Sequence, residues 1–314
     1  WSGIKKNVFG DRGLPPSQEV YEKKVLGIPQ KYFVPILAFL SAPVIAYLLS
    51  AYQDIGGGNT FLGEQNIVNL IFKIIGVAIL GYLGYIIANS TPDERKKLIV
   101  AVFITLFMTI FWGFHELSGS VITLFAARNV NLVWIDAAQT NALNSMWIII
   151  LSIPISLLWG YLSKKKKNPP TPYKFATGLA LAGISFYVLA LSGNSADESG
   201  MVPFSYLMIM YFLLSVGELF MSPVGLSKIT DLSPKRIVAF MMGIWFLSSA
   251  YAFQVVGFIG KQLAIERTDI NVGGLQTLNV YLGGFDLIAK YALGASVIVF
   301  ILSPVLKRMM GNVH

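Results

Sequence analysis

Residues 110–119 read IFWGFHELSG, and residues 214–223 read LSVGELFMSP. Each stretch belongs to a long apolar run, and each places one glutamate, Glu116 or Glu218, near the middle of that run. An ionised side chain at the centre of a membrane-spanning helix costs about 2.5–3.5 kcal/mol on insertion scales. A chain that keeps two such carboxylates at membrane depth is expected to use them, so both glutamates are candidate functional residues.

The composition is that of a protein that crosses a membrane many times. Hydrophobic residues make up 55% of the 314 residues and charged residues only 13%, which leaves too little polar surface to cover a soluble globule. The lack of cysteine excludes disulfides and thiolate chemistry, and two histidines are too few for a histidine-rich metal site. The net charge of +8 does not indicate nucleic-acid binding, because the basic residues fall in short loops between apolar runs.

Eight apolar runs are long enough to cross the hydrocarbon of a bilayer. The third has the clearest start, because Thr91, Pro92 and Glu94 form the sequence pattern of a capping box. The chain opens at Trp1 without a signal-peptide pattern, and we expect it to be a piece of something longer. The predicted spans are 32–50, 66–89, 98–126, 138–162, 175–192, 203–227, 237–260 and 279–304.

The charges of the loops predict how these spans are oriented. Basic clusters precede the first span and recur in every second loop, whereas the intervening loops hold only Arg128, Lys261 and Arg267. Because basic loops stay on the cytoplasmic side, this alternation predicts that both ends of the segment are cytoplasmic. The recurring clusters are Arg95 to Lys97, Lys164 to Lys167 with Lys174, Lys228 with Lys235 and Arg236, and Lys307 with Arg308.

Polar residues form stripes along four of the spans, because residues three or four apart lie on one face of a helix. These stripes predict a common polar interior, and spans one, two and five, which have none, are expected at the periphery. Asp286 and Lys290, four residues apart, are expected to pair. The stripes are Trp112, Glu116, Gly119, Ser120 and Thr123; Asn141 and Asn144; Ser215, Glu218, Ser222 and Gly225; and Trp245 and Ser249.

Weakly polar residues also join helices to each other in membranes, and this interpretation stays open for Asn141, Ser215 and Ser248. It does not explain the two glutamates, because helix association does not require an ionisable group. His115 lies about 100° from Glu116 around the helix, so the two need not form a relay. His115 therefore either titrates or forms a neutral hydrogen bond between helices.

The chemistry that these residues favour is proton-coupled binding. A carboxylate in an apolar interior changes its proton affinity with the charges around it, so protonation and ligand binding can be linked. The sequence has neither a Gly-x-Ser-x-Gly nor a His-Glu-x-x-His motif, and no set of nucleophile and base is apparent. We therefore expect no enzyme activity.

Two stretches resemble a known family. Phe111–Ala126 resembles the seventh-helix signature of the proton-dependent oligopeptide transporters, which are part of the major facilitator superfamily. Gly217–Ser227, continuing through Leu232–Arg236 to Met241–Leu247, is similar to the tenth and eleventh helices of that family. Phe9–Leu14 resembles the segment after its sixth helix, so the resemblance extends over nearly the whole chain.

The resemblance implies an all-α polytopic membrane protein in three parts. These are a cytoplasmic linker at 1–31, a two-helix transmembrane insertion at 32–90 of the kind that bacterial members carry, and a C-terminal six-helix bundle at 91–314. The N-terminal six helices, with the Glu-x-x-Glu-Arg cluster of the family, are absent from this sequence and are the expected partner half. The implied location is the lipid bilayer of the bacterial cytoplasmic (inner) membrane.

The implied function is that of a proton-coupled symporter that imports di- and tripeptides by alternating access, with protons as the coupling ion and no cofactor or metal. By resemblance, Glu218 would receive the peptide amino terminus, and Asn144 would hydrogen-bond the peptide backbone. Proton coupling would involve Glu116 with His115 beside it. Leu117 departs from the family, which commonly has glutamine at this position. The substrate side-chain pockets would be lined by Trp112, Ser222, Trp245 and Ser249.

Two other functions are compatible with the sequence. One is a major facilitator carrier of another small molecule, such as a drug, nitrate or an amino acid, because a fold does not fix its substrate. The other is a non-transporting membrane scaffold subunit built from this half alone. A channel is not indicated, since the sequence contains no selectivity-filter segment.

Overall fold

The computed structural model describes residues 22–54, 67–262 and 274–311, which are almost entirely helical. Each of the eight predicted spans coincides with a helical segment, which confirms the all-α prediction. The helices are α1 (Gln30–Asp54), α2 (Ile67–Ala88), α3 (Pro92–His115), α4 (Val121–Asn129), α5 (Ala142–Lys164), α6 (Thr171–Leu191), α7 (Phe204–Leu232), α8 (Val238–Gln262) and α9 (Gly274–Met310).

Short elements connect these helices. An antiparallel pair, β1 (Lys24–Val25) and β2 (Ile28–Pro29), precedes α1, and a parallel pair, β3 (Val130–Asn131) and β4 (Val202–Pro203), follows α4 and precedes α7. Within the described residues, four 3₁₀ turns occur at Glu116–Gly119, Ala137–Gln139, Ser192–Ser195 and Lys235–Ile237.

The described residues divide into two compact units between Tyr82 and Leu83, within α2. In the first unit, β1 and β2 form a tight hairpin in which Leu26 and Gly27 adopt positive φ angles of 51° and 83°. The predicted linker at 1–31 is described only from Glu22 onward, and the segment Phe9–Leu14 lies outside the described residues. The division into 1–31, 32–90 and 91–314 stays a prediction.

In the second unit, the capping box predicted at the start of α3 is present. The Thr91 hydroxyl accepts from the Glu94 backbone N–H, and the Glu94 carboxylate accepts from the Thr91 N–H, each at 3.4 Å. Arg236, in the turn before α8, donates to both oxygens of the same carboxylate at 2.9 and 3.0 Å. One glutamate therefore caps α3 and also ties it to the start of α8.

The predicted third span is not one continuous helix. Helix α3 ends at His115, the chain makes a 3₁₀ turn from Glu116 to Gly119, and α4 resumes at Val121. Ser120, between them, has φ −129° and ψ −86°, outside the helical region. A 3₁₀ stretch inside a long helix often marks a functional hinge, and here the first residue of that stretch is the candidate Glu116.

Helix α6 was expected at the periphery, and this prediction was wrong. In its most apolar stretch 56% of residues are buried, against 17% for α5. The reason is a close approach of α6 to α7: a Cβ atom at Gly178 would lie 2.4 Å from the Cγ of Met221, and one at Gly217 would lie 2.8 Å from the Gly178 carbonyl oxygen. Two glycines allow the helices to pack backbone against backbone.

Six helical segments among the described residues are long and apolar enough to cross a membrane, and they are Pro92–Asn129, Ala137–Lys164, Thr171–Ser195, Phe204–Leu232, Lys235–Phe253 and Gly274–Met310. The core of the second unit lies between α3, α6, α7 and α9, whereas α5 exposes large apolar side chains such as Ile149, Ile153 and Leu157.

Along α9, Lys290 donates to Asp286 at 2.5 Å, which confirms the predicted pair.

Candidate substrate and proton site

A histidine and a glutamate from different helices meet inside the second unit. Glu218 projects from the middle of α7, and His115 closes the last turn of α3. The Nε2 atom of His115 lies 3.0 Å from the Oε2 atom of Glu218, with side chains 9% and 18% exposed. The two are at ion-pair distance, but neither ring nitrogen is aligned for a hydrogen bond within the described residues.

Helix α5 contributes an asparagine to the same carboxylate. Asn144 Nδ2 donates to Glu218 Oε2 at 3.1 Å and to Ser215 Oγ at 3.0 Å, and Ser215 Oγ in turn donates to the Asn144 carbonyl at 3.4 Å. Ser215 precedes Glu218 by nearly one turn of α7, so one amide contacts two residues of the same helix face. The four side chains His115, Asn144, Ser215 and Glu218 are called the polar cluster below.

The second carboxylate oxygen of Glu218 has a different environment. Both contacts of the polar cluster are made to Oε2, and Oε1 accepts no hydrogen bond from the part of the chain that the structure describes. A carboxylate oxygen can accept about two hydrogen bonds. Oε1 is therefore the atom of the cluster that a cationic ligand would contact.

Two aromatic rings hold the His115 ring in place. Trp112, one turn earlier on α3, meets the imidazole edge to face with ring centroids 4.8 Å apart, and the Phe111 ring lies at 5.9 Å. Trp112 is only partly buried, so part of its indole remains accessible. The rings restrict where the histidine can move.

Glu116, the other candidate carboxylate, is not part of the polar cluster. It begins the 3₁₀ turn next to His115 and is half-buried. Its carboxylate makes no hydrogen bond and no ion pair with any residue in 22–54, 67–262 or 274–311. The histidine beside it contacts Glu218 instead, in keeping with the expectation that His115 and Glu116 need not form a relay.

No hydrogen bond within the described residues joins the other predicted lining residues to the polar cluster. Trp245 is 6% exposed and packs on Gly225, where a Cβ atom would lie 2.3 Å from the indole Cη2. The Ser249 hydroxyl donates to the Phe246 carbonyl of its own helix at 2.7 Å. Ser222, one turn after Glu218, makes no hydrogen bond to a described residue. Substrate contact by these three side chains stays a prediction.

Sequence reasoning gave Ser215 no role in the site and did not foresee the His115–Glu218 contact. Ser215 was visible in the polar stripe of α7, but nothing in a stripe distinguishes a helix contact from a site contact. Asn141, which the same reasoning left as a possible helix contact, accepts a hydrogen bond from Ser118 at 3.0 Å. Among the described residues no three acidic or histidine side chains are grouped so that they could hold a metal ion.

Residues 64–274, about two thirds of the chain, match the sequence profile of the POT family. The chain belongs to the POT family. This confirms the resemblance to the oligopeptide transporters and, with the six apolar helical segments, the prediction of a polytopic membrane protein.

Relatives of this POT chain are permeases. Dipeptide and tripeptide permease B of Aliivibrio fischeri is 31% identical over 255 residues, which are 78% of this chain and 51% of that protein. Dipeptide and tripeptide permease A of Erwinia pyrifoliae is 31% identical over 270 residues, 85% of this chain and 54% of that protein. The chain spans about half the length of these relatives.

Solved structures of POT proteins share the fold. A peptide transporter POT in complex with sulfate has a TM-score of 0.69 at 26% identity, with 99% of this chain and 59% of that chain covered. A variant of peptide transporter POT in complex with alafosfalin has a TM-score of 0.67 at 26% identity, with 99% and 58% covered. Both solved proteins are named peptide transporters.

Proposed function

We propose that this chain is the C-terminal half of a proton-coupled symporter that imports di- and tripeptides by alternating access. The observation that carries the proposal is the polar cluster: a carboxylate at membrane depth, held on Oε2 by His115 and Asn144, with Oε1 open. The permeases related to this chain are named for dipeptides and tripeptides, which supports a peptide as the substrate.

The carboxylate of Glu218 is suited to bind the amino terminus of a peptide. An ammonium group would approach Oε1 and bring a positive charge next to the carboxylate, where water is scarce and the attraction is strong. Asn144 can offer its carbonyl oxygen to a peptide N–H while its Nδ2 stays on Glu218. The Trp112 ring would give such a ligand an apolar wall.

His115 gives this binding site a way to respond to protons. When the imidazole is neutral, the carboxylate is free to bind the peptide ammonium. When the imidazole is protonated, it competes with the ammonium for Glu218, so a proton that reaches His115 would promote release of the peptide. Glu116, which has no partner among the described residues, is the second proton-binding group. Its position at the 3₁₀ break would let its protonation accompany a change in the shape of the helix.

The site needs an opposing half to close. Helices α5 and α8 are the least buried apolar segments of the second unit, at 17% and 22%, and helix α5 supplies Asn144 to the polar cluster. We expect a six-helix N-terminal bundle to cover these helices and to rock against them in the bacterial cytoplasmic (inner) membrane, with both ends of this segment in the cytoplasm.

Uptake into liposomes tests the proposal. The complete natural polypeptide that contains this chain is reconstituted, an inward proton gradient is imposed, and accumulation of labelled dialanine is measured with and without a proton ionophore. We expect accumulation that the ionophore abolishes. Uptake that is indifferent to the gradient would contradict proton coupling, and no competition by dialanine for any transported solute would indicate another substrate.

A further inference from the structure

A cavity with both apolar and polar walls lies away from the polar cluster, among α5, α6 and α7, and its apolar lining consists of Ile155, Leu219, Pro223 and Val224. It has a volume of about 450 Å³, and its polar lining consists of Lys174, Lys228, Trp159, Ser152, Ser156 and Ser227. At 100° per residue along α7, Ser227 projects about 180° from Glu218, so this cavity and the polar cluster use opposite sides of the same helix. It will be called the lysine cavity.

Lys174 is the main feature of the lysine cavity. The residue is 7% exposed, and its Nζ lies 4.0 Å above the ring of Trp159. No oxygen of the described residues accepts a hydrogen bond from it. Burying an ammonium group without a hydrogen-bonding partner is costly, and a single cation–π contact offsets only part of that cost. The ammonium group of Lys174 therefore has no negatively charged partner among the described residues, and the cavity beside it is large enough to hold one.

The other donors of the lysine cavity point to the same kind of partner. Lys228 pairs with Asp231 at 3.1 Å on its own helix, so Asp231 neutralises one of the two ammonium groups and leaves a net positive charge. The Nε1 atom of Trp159 is buried and has no hydrogen-bond acceptor within the described part of the chain. The Ser152 hydroxyl already donates to the Ile149 carbonyl at 3.1 Å. The two ammonium groups, the indole N–H and the hydroxyls of Ser156 and Ser227 still give a set in which donors predominate.

The lysine cavity lies near the ends of its helices, at the level expected for the headgroup region of a bilayer. Lys174 is the fourth residue of α6, and Lys228 and Trp159 lie within six residues of the ends of α7 and α5. At 1.5 Å per residue, all three lie within about 9 Å of the helix ends. Lysine and tryptophan are both common at the boundary between hydrocarbon and water.

We propose that the lysine cavity binds an anion that carries a phosphate group, either the headgroup of an anionic phospholipid or soluble phosphate. A phosphate offers only acceptor oxygens and negative charge, which complements the buried ammonium of Lys174, the Trp159 N–H and the serine hydroxyls. Anion binding in the lysine cavity does not require peptide binding at the polar cluster. The proposal can therefore be correct or incorrect independently of the proposed transport function.

The test measures ligand-dependent thermal stability of the complete natural polypeptide in a neutral detergent. Three additions are compared: dimyristoyl phosphatidylglycerol, dimyristoyl phosphatidylcholine, and sodium phosphate against sodium chloride at equal ionic strength. Stabilisation by phosphatidylglycerol but not by phosphate identifies a lipid, and saturable stabilisation by phosphate identifies a soluble anion. No specific stabilisation by either anion overturns the proposal.

Variants assign the effect to the cavity. Lys174→Gln is expected to weaken the binding of the effective anion about tenfold, because it removes a charge-assisted contact. Lys167→Gln removes the same charge from an exposed loop residue and is expected to change binding less than about twofold. Trp159→Phe removes the indole N–H and part of the ring but keeps an aromatic ring against Phe220, so it remains informative if Lys174→Gln does not fold. Unchanged binding in Trp159→Phe or in folded Lys174→Gln would overturn the assignment.

Discussion

Glu116 and Glu218 are alike in sequence and unlike in structure. Each lies in an apolar run at membrane depth, yet Glu218 has His115 and Asn144 on one oxygen, whereas Glu116 has no partner among the described residues. The energetic cost of a carboxylate in a bilayer makes both residues candidates for a functional role. That cost does not distinguish a carboxylate that is held in place to receive a ligand from one that is left free to exchange a proton.

The difference has a structural origin. Glu218 occupies a continuous stretch of α7, where its backbone is fixed on both sides and its side chain is anchored by α3 and α5. Glu116 stands at the junction of α3 and the 3₁₀ turn, where the helix changes its hydrogen bonding. A fixed group suits substrate recognition, and a group at a break suits a step in which the helix changes shape.

The largest effect is expected from Glu218→Gln. The amide cannot attract the peptide ammonium, and deleting one partner of a desolvated charge pair costs about 2–5 kcal/mol, so the apparent affinity for dialanine should fall about 30-fold or more. Uptake by the reconstituted full polypeptide measures this. Glu198→Gln, the same change at an exposed position, serves as control; wild-type affinity in Glu218→Gln would remove this residue from the site.

Glu116→Gln should separate coupling from binding. We expect gradient-driven accumulation of dialanine to be lost, while exchange of labelled for unlabelled dialanine stays within about threefold of wild type because no observed partner is removed. Counterflow and acid-driven uptake, measured on one preparation, test this. If accumulation persists, Glu116 takes no part in coupling, and the contrast between the two carboxylates is then one of structure alone.

His115→Asn tests whether His115 controls ligand binding at the carboxylate of Glu218. Loss of the imidazole removes the competitor for Glu218. We therefore expect the affinity for dialanine to rise about tenfold at acid pH and to depend less on pH than in the wild type. The readout is the affinity at several pH values across the titration range of histidine. A purely structural role would lower thermal stability and leave the shape of this pH profile unchanged.

The smallest effect is expected from Asn144→Ala. Loss of one hydrogen bond to Glu218 should weaken dialanine binding about fivefold, which corresponds to about 1 kcal/mol. Asn141, three residues earlier, is the matched control because it pairs with Ser118 rather than Glu218, and Asn141→Ala should change the affinity less than about twofold. Equal effects would mean that the network around Glu218 is no more specific than ordinary helix contacts.

Local patterns in the sequence predicted a large part of this structure. Each of the eight spans predicted from hydropathy coincides with a helical segment of the described residues. The Thr91 capping box and the Asp286–Lys290 pair could be predicted because their partners lie within four residues. The 3₁₀ break at Glu116 was not readable, since no proline or glycine precedes it directly. The burial of α6 was not readable either, because close packing depends on which helix lies opposite its glycines.

The same limit applies to the candidate site. Stripe analysis selected Glu218, Asn144, His115 and Trp112 and so found most of the groups that the structure brings together. The contacts among these residues could not be predicted, because local sequence patterns do not show which distant residues meet. His115 and Glu218, for example, are 103 positions apart in the chain. Nothing in the sequence indicated that the Trp245 ring packs on Gly225.

The contact between Gly178 and Gly217 restricts which amino-acid changes this protein can tolerate. Gly217 immediately precedes Glu218, and its backbone position depends on a helix that contributes nothing to the polar cluster. A single added methyl group at Gly178 would therefore displace the carboxylate from a distance. In a library of random variants selected for growth on a dipeptide, we expect positions 178 and 217 to accept as few replacements as position 218.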